Sequence, residues 1–173
     1  MTYQPGEIIP FNETLAPHFE SLNREWIERY FAIEEADRVL FADPFTTIVS
    51  PGGQIFFVVT GGEVVGTCAV VRHDAHVYEI AKMAVSPKAQ GRGYGGLLLR
   101  AGIEFARNAG AETLVLLTNS ILGPALRLYE NHGFKRVPVS IGGEYVRADV
   151  QMELSLARAR GGEDSPQGNL DGD

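Results

Sequence analysis

A chain of 173 residues, 45% apolar and 21% charged, is sized for one domain with a substantial core and is too short for two ordinary ones. That composition excludes an intrinsically disordered protein, and no uncharged apolar run approaches the roughly 20 residues of a membrane span. The single cysteine, Cys68, excludes an internal disulfide and a multi-cysteine metal site. The opening MTYQPGEIIPFNETL has no basic stretch followed by an apolar one, so no secretory leader is expected and a cytoplasmic location is the default. The net charge of −7 is uneven, with nine acids against three arginines in residues 1–45. This acidic third disfavours a nucleic-acid partner, whose binding rests on clustered lysine and arginine, and it suits a cationic small molecule. Solvated helix faces account for the same charge.

Leu15, Phe19, Leu22, Trp26, Tyr30 and Ile33 recur at steps of three and four, which predicts a helix from about Leu15 to Ile33 with Thr14 as its N-cap. A short second helix is expected over Glu35 to Ala42, stopped by Asp43-Pro44. The pattern then turns to strands. Ile55 to Val59 and Val64 to Val71 flank the pair Gly61-Gly62 and read as a hairpin, and Val77 to Val85 makes the third strand of a meander. Residues 95–109 read as a helix, Thr113 to Thr118 as a buried strand, and Pro124 to Asn131 as a helix closed by Gly133. Phe134 to Val137 and Val146 to Leu154 complete a mixed α/β sheet in which an antiparallel meander precedes β-α-β-α-β. The domain is placed at residues 7–158. Residues 159–173 form an acidic tail with almost no apolar residues, expected to be disordered.

The loop Gln90-Gly91-Arg92-Gly93-Tyr94-Gly95-Gly96 opens the helix that follows the third strand. Its glycines permit positive φ and remove Cβ atoms from the path of a ligand. Free N–H groups at a helix start, aided by the helix dipole, favour an anion such as phosphate, with Arg92 available at the rim. The glycines fit G-x-G-x-x-G formally, but Ser86 to Gln90 intervene after the strand and no ribose-binding acid ends the next one, against a dinucleotide fold. No Gly-Lys-Ser/Thr follows, which excludes a P-loop.

Ala84-Val85-Ser86-Pro87 followed by Gln90-Gly91-Arg92-Gly93-Tyr94-Gly95 resembles the acyl-CoA signature Q/R-x-x-G-x-G/A of the GNAT superfamily of N-acetyltransferases. The resemblance continues through Leu97-Leu98-Leu99, the strand ending in Thr118-Asn119, and Leu128-Tyr129-Glu130-Asn131-His132-Gly133-Phe134, similar to L-Y-x-x-x-G-F. It implies a GNAT-like fold with a splayed central strand pair and acetyl-CoA as acetyl donor, without a metal. It also implies an amine acceptor, small molecule or peptide, and possible pairing into homodimers, which are common in the family. Backbone groups of Met83, Ala84 and Val85 are expected along the pantetheine arm. The turn Gln90, Gly91, Arg92, Gly93, Tyr94, Gly95 and Gly96 is expected at the pyrophosphate, and Asn119 beside the arm.

Two side chains are expected to handle protons. Tyr129 occupies the family's general-acid position for the leaving thiolate, and also fits a core tyrosine. Glu79, which alternation from Val85 places on a face with Ala81 and Met83, occupies the position of the base in some relatives and also fits an ordinary strand-edge acid. On the acceptor side, Glu25 and Glu28 are expected to face solvent, while Glu34, Glu35 and Asp37 sit at the helix junction, where they suit a cationic acceptor. His73 and His76 are expected to be solvated, His132 to complement a helix dipole, and Cys68 to be a small core residue. The alternatives to an enzyme are a non-catalytic acyl-CoA-binding or sensing module and a nucleotide-binding regulatory domain.

Overall fold

The computed structural model describes residues 5–141, 143 and 145–156. The tail expected at 159–173 lies outside them. The elements run β1 (Glu7–Pro10), α1 (Ala16–Tyr30), α2 (Glu35–Ala42), β2 (Gln54–Thr60), β3 (Glu63–Arg72), β4 (Val77–Val85), α3 (Tyr94–Asn108), β5 (Thr113–Thr118), α4 (Gly123–Asn131), β6 (Lys135–Val137) and β7 (Val150–Ser155). They build one seven-stranded sheet in the order β1-β2-β3-β4-β5-β7-β6, in which only β4 and β5 pair in parallel. β1 adds an edge strand that the short run Glu7–Pro10 did not announce.

Helices cover both faces of this sheet, giving two cores. On one face Leu98, Leu99 and Ile103 of α3 and Leu126 of α4 pack with Val58, Val70, Ile80, Leu114 and Met152. On the other, Phe19 and Ile27 of α1, Phe41 of α2 and Ile48 pack with Ile55, Phe57 and Ala69. Ile48 belongs to a π-helical turn over Phe45–Val49, which Asp43-Pro44 begins rather than a plain loop. At the start of α1 the capping side chain is Asn12, which accepts from Thr14 N–H at 3.0 Å through a 3₁₀ turn, so Thr14 is capped rather than capping. The buried stripe of α1 is also rotated from the expected one. Phe19, Leu22, Asn23 and Ile27 face the sheet, while Tyr30 is 54% exposed. Asn23 is buried without penalty, because its amide donates to Phe19 O and its carbonyl accepts from Trp26 Nε1.

Two features of β4 govern the centre of the sheet. Opposite Cys68 of β3 stand two residues of β4, Lys82 and Met83, because the register moves from Thr67↔Ala84 to Ala69↔Ala81. This bulge puts Lys82 at φ +50°, a left-handed conformation uncommon for a residue with a Cβ. Side-chain alternation is broken there. Ile80 and Met83, three apart, both pack on the α3 face, whereas Lys82 faces α2. The second feature is the end of parallel pairing. β4 and β5 pair from Val77↔Thr113 to Ile80↔Leu116 and no further, while Leu117 and Thr118 continue along β7. Beyond Ile80 the two strands diverge, and the sheet is open between them.

Candidate active site

The opening between β4 and β5 leads to the turn at the start of α3. Gly91 has φ +75° and Gly93, the residue capping α3, has φ +83°. A Cβ built on either would meet no protein atom within 4 Å, so the turn borders open space. Leu97 N–H is bonded to Gly93 O at 3.2 Å, which leaves the N–H groups of the turn before it directed out of the helix end. Such a cradle suits a phosphate.

The other residues expected at this turn have mixed surroundings. Tyr94 is buried in the α3-side core, where its ring lies against the backbone of Gly6, so its side chain anchors the turn rather than facing a ligand. Gly95 packs against α4, with its missing Cβ 3.2 Å from Leu128 Cδ2, and Gly96 against its own helix at Arg100. Gln90 donates its amide to Val85 O at 3.1 Å, tying the turn to the end of β4 and occupying that carbonyl. Arg92 is exposed at the rim, and Ala84 is buried within the strand. Asn119 is engaged within the fold, its amide donating to Arg147 O at 2.6 Å and its carbonyl accepting from Ile121 N–H.

Tyr129 projects from α4 into the α3-side core, edge-on to Phe134 with ring centroids 6.1 Å apart. Burial, with a smaller contribution from nearby Cys68, raises its phenol above the ordinary range. Its hydroxyl forms no hydrogen bond among the described residues. No fully enclosed polar side-chain atom there is unpaired, so the oxygen keeps an opening to solvent. Cys68 is fully buried, and burial pushes its thiol up to about 12, which rules it out as a nucleophile.

Glu79 lies one residue before the last β4–β5 pair, on the α1–α2 face beside Val71, its cross-strand partner. Because the bulge intervenes, it does not share a face with Met83. One of its oxygens is 2.6 Å from His73 Nε2, and the imidazole is 40% exposed. His73 is thus exposed in the β3–β4 loop, as expected, and is in addition a partner of Glu79. His132 Nδ1 donates to Leu128 O at 2.8 Å in the last turn of α4.

The acids expected to face an acceptor are placed differently. Asp37 is fully buried: its Oδ1 accepts from Lys82 Nζ and Arg147 Nη2, both at 2.7 Å, and its Oδ2 from Arg147 Nη1 and Glu34 N–H. Burial acts to raise its pKa, but the bonds from Arg147, Lys82 and the Glu34 amide prevail and hold it at about 2. Glu34 caps α2 and accepts from Val146 N–H and Arg147 Nη1. Glu35 is exposed and paired with Arg38. Glu34 and Asp37 are therefore neutralised within the fold and offer a substrate no free charge.

A cleft of about 240 Å³ adjoins the turn from the other side. α1 lines it with Leu22, Glu25, Trp26, Arg29 and Tyr30, and the β4–α3 connection with Val85, Pro87 and Gln90. Glu25 is exposed, as expected, and belongs to this wall. Among the described residues no group of three or more His, Cys, Asp or Glu side chains could hold a metal ion, and no helix is long and apolar enough to cross a membrane.

The site is thus a mixed sheet whose one parallel pair stops at Ile80 and Leu116, leading to a glycine turn at the N-terminus of α3. The chain belongs to the acetyltransferase (GNAT) family, whose model matches residues 15–134. It is 36% identical over 91 residues to mycothiol acetyltransferase of Pseudarthrobacter chlorophenolicus, a match covering 50% of this chain and 28% of that protein. N-acetylaspartate synthetase of Danio rerio is 37% identical over 98 residues, covering 56% of this chain and 35% of that one. The matched segment thus spans about a third or less of these curated relatives. Among solved structures, a GNAT-family acetyltransferase of Staphylococcus aureus superposes with a TM-score of 0.81 at 18% identity, over 88% of this chain and all of that one. A putative acetyltransferase of Salmonella typhimurium, solved with its cofactor acetyl-CoA, gives 0.69 at 17% identity, over 93% and 99%. These likenesses show the fold.

Proposed function

We propose that the protein transfers an acetyl group from acetyl-CoA to a primary amine of a small molecule or peptide by direct attack. The observation that carries this reading is the union of two features at one place: β4 and β5 part after Ile80 and Leu116, and the opening runs to a cradle in which Gly91 and Gly93 present no side chain. The donor fits these residues. The β4 backbone at Met83 and the N–H of Val85 would hold the pantetheine amides as an added strand does, and the turn at Gly91 to Gly96 the pyrophosphate, while the Ala84 backbone is paired with Thr67 of β3. When bound, acetyl-CoA supplies an acyl group activated as a thioester.

The chain's own residues do the rest. Glu79 accepts the proton lost by the amine nitrogen as the C–N bond forms, and His73 beside it leads toward solvent. Tyr129 gives its hydroxyl proton to the thiolate released as the C–S bond breaks, and solvent restores it. The α1 wall carries one charge of each sign, Glu25 and Arg29, next to Trp26 and Tyr30. This favours an acceptor with a polar or carboxylate group beside its amine over a polycation. The test is a panel of amino acids, peptides, polyamines and aromatic amines with acetyl-CoA, read by thiol release and by the mass of the product. Turnover confined to polyamines would contradict the acceptor assignment, and acetyl-CoA binding without turnover of any amine would favour a sensing module.

A further inference from the structure

A lysine in the interior of a strand otherwise rich in apolar residues, buried and in a left-handed conformation, has to be held by its surroundings. Lys82 Nζ lies 2.7 Å from Asp37 of α2 and donates to Tyr145 Oη at 2.9 Å, with the Tyr145 ring centroid 4.0 Å away. Arg147, two residues on, stacks on the same ring at 4.6 Å and grips Asp37 with both guanidinium nitrogens.

The segment carrying Tyr145 and Arg147 is anchored on both of the strands that part. Its start is fixed to Lys82 on β4. Its end is fixed beyond β5, where Asn119 donates to Arg147 O, Asp149 N–H donates to Thr118 O, and the Asp149 carboxylate accepts from Ser120 N–H and Oγ at 2.7 Å. These anchors are ion pairs, hydrogen bonds and cation–π contacts, and Val146 between them is 94% exposed. Residues 145–149 thus form a strap that crosses the opening on the α2 face, at the level where β4 and β5 have stopped pairing.

We propose that Lys82 is a positioning residue: clamped between Asp37 and Tyr145, it holds the left-handed bulge of β4 and the strap 145–149 together, and so shapes the acceptor side of the cleft. The acceptor part of this inference rests on the reading of the opening as an acetyl-CoA cleft, while the clamp itself does not.

The strap contains its own reporter. Arg147 is a trypsin site whose side chain is 11% exposed and committed to Asp37 and Glu34, so the Arg147–Ala148 bond is protected while the clamp is closed. Lys82→Met, Lys82→Gly and Tyr145→Phe are compared with the wild-type chain, with cleavage at that bond followed by mass spectrometry. Lys82→Gly adopts positive φ freely, so it removes the clamp while sparing the bulge. Both Lys82 variants are expected to be cut at least tenfold faster, and Tyr145→Phe to a smaller degree. For the best acceptor, Lys82→Gly is expected to raise KM at least tenfold while acetyl-CoA affinity stays within twofold, a split that a loss of overall stability would not produce. A folded Lys82→Gly or Lys82→Met chain whose Arg147–Ala148 bond resists trypsin as the wild type does would overturn the proposal, as would an unchanged acceptor KM. Failure of the wild-type chain to bind acetyl-CoA would remove only the cleft reading, since proteolysis needs no ligand.

Discussion

Asp37 Oδ1 lies 2.7 Å from Lys82 Nζ, a buried ion pair that joins the N-terminal turn of α2 to the bulge of β4. Two cations converge on this one carboxylate, so protonating it takes from Lys82 its carboxylate and leaves Arg147 only Glu34. The pair therefore couples the charge state of a single acid to the geometry at the centre of the sheet.

A pH dependence of stability follows. The Asp37 pKa is lowered from 3.8 to about 2 in the fold. A depressed acid stabilises the fold above its unfolded value, and that contribution is lost as pH falls through the folded one. The window is therefore pH 4 to 2, and the contribution is about 2 kcal/mol. Urea unfolding at pH 7, 4, 3 and 2 should show this loss. In Asp37→Asn, weaker near neutral pH because Lys82 loses its carboxylate and Arg147 keeps only Glu34, the curve should be flatter over the same window. Parallel curves for the two proteins would assign the acid sensitivity to other carboxylates.

Gly93 and Gly110 make a matched pair at the two ends of α3. Their φ values are +83° and +86°, and a Cβ on either meets nothing within 4 Å. Alanine should therefore cost similar backbone strain at both, about 1 kcal/mol. Only Gly93→Ala should weaken acetyl-CoA binding, by tenfold or more, as titration calorimetry would read. Equal affinities in the two variants would mean that the turn is not the phosphate cradle.

Tyr129→Phe is a clean substitution, because the hydroxyl it removes has no hydrogen-bond partner among the described residues. Thermal stability and acetyl-CoA affinity should hold, while turnover drops roughly 10²-fold. Glu79→Gln should lower turnover by a similar factor, and His73→Gln by less, since it leaves the carboxylate in place. If Tyr129→Phe turns over the best acceptor at the wild-type rate, the tyrosine is a packing residue.

The acceptor wall can be separated from the surface acids. Arg29→Gln and Glu25→Gln should each raise the acceptor KM several-fold, on the order of 1 kcal/mol, while leaving acetyl-CoA affinity unchanged. Glu35→Gln should leave both unchanged, as its carboxylate is exposed and paired with Arg38. A response at Glu35 and none at Glu25 would move the acceptor site to the α1–α2 junction.

Most elements were legible because local pattern and tertiary burial agree in them. Val77 to Val85 and Glu35 to Ala42 are found where periodicity and Asp43-Pro44 place them. The glycine turn was legible because positive φ and bare helix N–H groups leave a sequence trace. What escaped were relationships between distant residues. The expected strand from Val146 begins only at Val150, since Val146 is apolar but exposed and the stretch before β7 is held by ion pairs rather than by burial. Glu34 and Asp37 look like free acids until Arg147, more than a hundred residues on, is brought to them. The one local signal for that network was Lys82, a cation inside an apolar strand, which requires a buried counter-charge. The bulge it occupies hid the true face of Glu79, because alternation counts residues and a bulge adds one.

Acetyl-CoA is proposed to lie in the opening between β4 and β5, against the glycine turn. The most direct measurement is the thermal midpoint of the full chain across a titration of acetyl-CoA, with CoA as competitor and ATP and NAD in parallel. A ligand bound by the folded state alone raises the midpoint as the logarithm of its concentration once that exceeds Kd. The expected result is a concentration-dependent rise with acetyl-CoA that CoA reproduces, amounting to about 2.7 kcal/mol of stabilisation at a hundredfold excess over Kd, with no comparable rise for ATP or NAD. A flat response to acetyl-CoA at millimolar concentration, or equal rises for all the nucleotides, would contradict the account.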